Sequence, residues 1–60
     1  MNTAIKTLVK IYNRDKENTY HSTGIYMDTR NYNAGVFHLI EDENGIEYAY
    51  PDINYRIERV

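Results

Sequence analysis

The dipeptide Asn44-Gly45 stands between two apolar segments, VFHLI at 36–40 and IEYAY at 46–50. A type I′ turn needs positive φ at both central residues, which Asn-Gly supplies at little cost, and such a turn joins antiparallel strands directly. A tight β-hairpin is therefore expected here. With a two-residue turn, position 43 faces 46, 41 faces 48 and 39 faces 50. That register places Phe37, Leu39, Ile46, Tyr48 and Tyr50 on one face, and Val36, His38, Ile40 and Ala49 on the other. One apolar face of the hairpin is expected to fill the core, and the other then needs a partner or a second copy.

The rest of the chain reads as strands around this hairpin. Residues 4–13, AIKTLVKIYN, alternate with period two: Ile5, Thr7, Val9 and Ile11 share one face, while Lys6, Leu8, Lys10 and Tyr12 share the other. NRDKEN at 13–18 is wholly polar and marks a turn. TYHSTGIYMD at 19–28 is rich in β-branched and aromatic residues, and its central Gly24 signals a bulge or a sharp bend. DTRNYNAG at 28–35 breaks the pattern and is expected to be an exposed connection or a single helical turn capped by Asp28. Pro51 has no N–H for a ladder, so the fourth strand should end there. In the tail, Ile53, Ile57 and Val60 fit a helical stripe, whereas Ile53, Tyr55 and Ile57 fit a strand. Nine residues make a weak isolated helix, which favours a short turn over 51–54 and then a last strand.

These elements predict an all-β fold, either a five-stranded antiparallel sheet or a small barrel. The order of long strand, loop, bent strand, loop, tight hairpin, short turn and last strand resembles the SH3-like and Sm-like barrels. The likeness lies in the layout of nearly the whole chain, and no family motif matches residue by residue.

Sixty residues make one domain, 1–60, which buries only about 60% of the surface its unfolded chain exposes. With no cysteine, neither disulfides nor thiolate metal sites add stability. Tight β packing, self-association or a partner must supply it. The start of the chain lacks a basic region followed by an apolar run, and no stretch approaches 18 apolar residues, so the expected compartment is the cytoplasm, without a membrane. A net charge of −2 weighs against a general nucleic-acid binder.

Catalytic chemistry is not evident. Ser22 is the one serine, the three glycines are isolated, and His21 and His38 fall on different strands without a fitting carboxylate arrangement. No enzyme activity, cofactor or metal is expected, and a closed barrel of this size has little room for a pocket besides its core.

Binding surfaces are better represented. Glu41, Asp42, Glu43 and Glu47 surround one hairpin tip, and no lysine or arginine occurs from 31 to 55, so the tip favours a partner with a basic surface. Charges there also serve to keep strand edges apart. The seven tyrosines exceed what so small a core can hold with satisfied hydroxyls, and surface tyrosine is typical of interfaces. Asn, Tyr, Ile and Lys make up 24 of the 60 residues, types encoded by A/T-rich codons, which fits a phage or mobile element.

The first reading is accordingly a non-enzymatic protein that binds a larger host protein and modulates or inhibits it by occlusion. Its expected contacts are Tyr48, Tyr50, Glu41, Asp42, Glu43 and Glu47, with a second contact loop over Thr29 to Asn33 that includes Arg30, Asn31 and Tyr32. The alternative is an Sm-like or SH3-like nucleic-acid-binding module using Lys6, Lys10, Tyr12 and Arg14, where cations would hold phosphates and the phenol would stack a base. A third reading is a structural subunit stable as a homo-oligomer through edge-strand pairing.

Overall fold

A computed structural model describes residues 6–60; Ala4 and Ile5 of the first expected strand lie outside them. Five strands form one antiparallel sheet: β1 (Thr7–Asn13), β2 (Thr19–Tyr32), β3 (Gly35–Glu41), β4 (Glu47–Pro51) and β5 (Tyr55–Arg59), in the order β4-β3-β2-β1-β5. No helix among the described residues is long and apolar enough to cross a membrane. The sheet is open, with β4 and β5 as its two edges. Of the two expected architectures, the five-stranded sheet is the one formed.

The alternation of β1 decides its faces as expected. Val9 and Ile11 are buried while Leu8 and Lys10 are exposed. Val9 and Ile11 join Ile40 as the fully buried core, and Tyr26, Tyr50, Tyr55 and Ile57 pack against them half-buried. Each aliphatic side chain buried this way contributes about 1.5–3 kcal/mol, so three of them make a small core. The polar 13–18 segment forms one 3₁₀ turn, Arg14–Lys16, followed by Glu17 and Asn18 with φ of 55° and 60°.

β2 carries the bend of the sheet. Its ladder with β1 passes from Ile11↔Ser22 to Tyr12↔Tyr20, leaving His21 as an extra residue, and its ladder with β3 passes from Tyr26↔Ile40 to Asp28↔Leu39, leaving Met27 extra. Gly24, between these bulges, is the point of closest approach. A β-carbon there would stand 2.6 Å from Ile40 Cγ2 and 2.8 Å from the Glu41 carbonyl oxygen. The glycine therefore lets β3 fold down over β1, instead of being the bulge itself.

Two sequence expectations are corrected. The segment 28–35 is no loop or helical turn: β2 runs on to Tyr32, and Asn33-Ala34 is a two-residue turn leading to Gly35 at φ 127°. Asp28 through Val36 are exposed, so this end of the hairpin has no inward face to impose an apolar alternation. Its order comes from the ladder, the Asp28–Arg30 ion pair at 3.1 Å and the Tyr32–Phe37 edge contact at 5.4 Å.

The second correction concerns the register of the central hairpin. Its pairs are Glu41↔Glu47, Ile40↔Tyr48, Leu39↔Ala49 and His38↔Tyr50, one residue away from the expected set. The Gly45 N–H donates to the Asp42 carbonyl at 3.0 Å, and the Asp42 N–H donates to the Ile46 carbonyl at 2.9 Å. Gly45 has φ 79°, whereas Asn44 does not enter the positive-φ region. This is a type I turn over 42–45 closed by a glycine bulge, giving a three-residue loop in place of type I′. The Asp42 carboxylate fixes it by accepting the N–H groups of Asn44 and Ile46, each at 2.9 Å. A one-residue slip exchanges the faces of a strand. Ile40, His38, Tyr48 and Tyr50 consequently share the inward side, and Phe37 and Leu39 turn away from it.

The tail follows the strand alternative. Pro51 ends β4, the Asn54 N–H donates to the Pro51 carbonyl at 3.0 Å, and β5 pairs with β1.

Candidate functional site

The shifted register brings His38 next to Tyr26 and Asp52. His38 Nε2 donates to Asp52 Oδ1 at 2.8 Å, and its Nδ1 lies 2.5 Å from Tyr26 Oη, which in turn contacts Thr29 Oγ1. In a neutral imidazole whose Nε2 carries the proton, Nδ1 is an acceptor, so Tyr26 donates to it and accepts from Thr29. The His38 side chain is 15% exposed. Asp52 is also 3.6 Å from Arg14 Nη2. The hydrogen bond from His38 holds the Asp52 carboxyl below its ordinary pKa; partial desolvation opposes this, and the charge of His38 when protonated, and that of Arg14, add to it. Arg14 also donates from Nε to the carbonyls of Asp52 and Tyr55, at 2.7 and 3.2 Å, while its N–H meets the Asn54 carbonyl at 3.0 Å. Arg14 thus joins His38 and the turn's own backbone bonds in holding the β4–β5 turn.

Between the two sheet edges opens a groove of about 620 Å³, lined by Ile11, His21, Ile40, Tyr48, Tyr50 and Tyr55. The open sheet makes room that a closed barrel would lack. The His21 bulge on β2 aims its ring into the seam, where it meets Tyr50 at 5.7 Å and Tyr55 at 5.4 Å, and those two phenols meet at 5.1 Å, all edge-on. Such contacts suit the aromatic quadrupole. Tyr48 stands 6.5 Å from Tyr50 and is 46% exposed. Asp42 belongs to the groove wall, and with Glu43 it lines an adjoining depression beside β2.

The expected contact residues thus divide among three places. Tyr48, Tyr50 and Asp42 meet in the groove, with Glu43 next to them. Glu41 and Glu47 pair with each other on the opposite face. Arg30, Asn31 and Tyr32 lie at the far end of β3, about 20 Å from the acidic tip by strand rise, on a strand and not on a loop. The alternative set also divides. Lys10 and Tyr12 share the outer face of β1, but Arg14 is turned into the β4–β5 turn. Arg56 takes the position over Tyr12, with its guanidinium carbon 4.4 Å from the ring centroid, and Glu58 pairs with Lys10 across the ladder. Lys6 is exposed before β1 begins. Sequence reasoning missed the Tyr26, His38 and Asp52 chain and the contacts of His21 with Tyr50 and Tyr55, because both depend on register and bulge positions.

Comparison of the chain with protein-family models, curated proteins and solved structures returns no match.

Proposed function

We propose that the chain is a non-enzymatic protein-binding module that receives part of a larger protein in the groove between β4 and β5. In this reading it modulates or inhibits that partner by occlusion, in keeping with the phage or mobile-element origin that its residue composition fits. The observation that carries the reading is the gathering of exposed Tyr48 with Tyr50, Tyr55 and His21 in one groove walled by Asp42. Rigid phenol rings give large amphipathic contact area at low entropic cost, and the carboxylates select a basic partner segment. Against a catalytic role for His38 stands its occupancy: both ring nitrogens are held by protein groups.

The test is affinity capture from bacterial lysate with the tagged chain and with Tyr48→Ala and Glu43→Lys variants, each with and without nuclease. The reading predicts a stoichiometric protein that survives nuclease and is depleted at least tenfold by either substitution. Partners that vanish on nuclease treatment alone would overturn it in favour of nucleic acid.

A further inference from the structure

The sheet's two edges differ in what they offer another strand. In an antiparallel ladder, alternate residues direct N–H and C=O toward the neighbour and the others direct them outward. The Asp42–Ile46 and Val36–Asp52 bonds set residues 46, 48, 50 and 52 toward β3, so β4 turns Glu47, Ala49 and Pro51 outward. Pro51 has no N–H, and Glu47 stands opposite Glu41. That edge is blunted against strand addition. For β5, the Arg14–Asn54 and Leu8–Val60 bonds set 54, 56, 58 and 60 toward β1. Ile57 and Arg59 therefore present complete donor and acceptor pairs outward, while Tyr55 presents its N–H and a carbonyl that already accepts from Arg14 Nε at 3.2 Å. No proline interrupts this strand.

The side chains of β5 specify what would pair there. We propose that β5 is a homodimer interface, in which a second copy adds its own β5 antiparallel about a two-fold axis at Ile57. In that register Ile57 faces Ile57 of the second copy and exchanges both backbone bonds with it, while Tyr55 faces Arg59 of the second copy, its carbonyl accepting through the lone pair that Arg14 Nε leaves open. Arg56 then lies in a close, non-hydrogen-bonded pair with Glu58 of the second copy, and Glu58 with its Arg56. Arg56 Nη1 already holds Glu58 Oε2 of its own strand at 2.9 Å, so the four charges form a square of alternating sign. Sliding the pairing to the next bonded register in one direction sets Arg56 against its own copy; in the other direction it sets Glu58 against its own copy. Like charges directly opposite destabilise a ladder, so the charge pattern selects one register from those the backbone allows. The association is isologous and closes on itself, joining two open sheets into one. It shares Tyr55 with the groove, whereas the Arg56 and Glu58 side chains lie on the other face of β5.

Sedimentation equilibrium on the full chain tests this with Arg56→Glu, Glu58→Arg, their equimolar mixture, and the chain carrying both substitutions. The wild type is expected to form concentration-dependent dimers. Each single variant places like charges opposite and should weaken self-association about tenfold or more, whereas the mixture regains opposite charges at both positions and should form a heterodimer. The double variant only exchanges the two charges and should dimerise like the wild type, which guards against misfolding of a single variant. A wild type that stays monomeric to about 1 mM, dimers indifferent to the single substitutions, or a mixture and double variant that both remain monomeric would each overturn the proposal.

Discussion

His38 on β3 donates to Asp52 in the β4–β5 turn across 2.8 Å, and this bond closes a chain running from Thr29 through Tyr26 to the turn. Asp52 has a folded pKa below its ordinary value. A depressed carboxyl favours the folded state at pH above its unfolded pKa, near 3.9, and this contribution is lost as pH falls through the lower folded value. The wild type should therefore lose stability below about pH 4. Asp52→Asn keeps the shape without the charge. It should lower Tm at pH 7 by no more than about 4 °C, under about 1 kcal/mol because solvent screens the half-exposed carboxylate, and flatten the acid limb of the stability curve. Thermal melts from pH 2 to 7 would check this, and an unchanged acid limb would contradict it.

Arg14 is predicted to be a structural residue. Its Nε serves two carbonyls of the β4–β5 turn, which lie 38 and 41 residues away in sequence. Arg14→Ala should cost roughly 1–2 kcal/mol in urea unfolding, and its effect should be non-additive with Asp52→Ala because the two share one network. Additive or negligible effects would show that the turn is held otherwise.

Gly24→Ala should be more damaging than its position in a strand implies. The new methyl would meet Ile40 Cγ2 at 2.6 Å and the Glu41 carbonyl at 2.8 Å, and the carbonyl is backbone that moves only with β3. A loss of roughly 1–3 kcal/mol is expected from overpacking, seen as a lower urea midpoint. A neutral substitution would mean that β3 lies farther from β2 than described.

Much of this architecture is legible in the sequence. The alternation of Val9 and Ile11 marks the core face of β1, Pro51 ends β4, and the Asn44-Gly45 pair marks the central hairpin. The register of that hairpin is the part misread. Asp42-Glu43-Asn44-Gly45 carries an Asp at the first position and a Gly at the fourth, the preference of a type I turn, and the Asp42 carboxylate then captures two backbone N–H groups. Reading Asn-Gly alone favours the two-residue loop. From that slip follows the mistaken grouping of Phe37 and Leu39 with Tyr48 and Tyr50 on one face, and with it the loss of the His38 network from view. The outer half of β2 was illegible for another reason: with Asp28 to Tyr32 exposed, no burial pattern distinguishes strand from loop. Of the candidate site, the tyrosines and the acidic tip could be named from composition. The separation of Glu41 and Glu47 from Tyr48, Tyr50 and Asp42 onto opposite faces could not, since it depends on the same register.

The inward placement of His38, Ile40, Tyr48 and Tyr50 underlies both the groove and the turn network, and cross-strand nuclear Overhauser contacts in solution test it most directly. Hα atoms approach closely only in the non-hydrogen-bonded pairs of an antiparallel ladder. The ladder described here predicts strong Hα–Hα contacts for Leu39 with Ala49 and for Glu41 with Glu47. Strong contacts for Ile40 with Ala49 and for Asp42 with Glu47 would instead establish the two-residue turn, return His38 to the outer face and contradict the account.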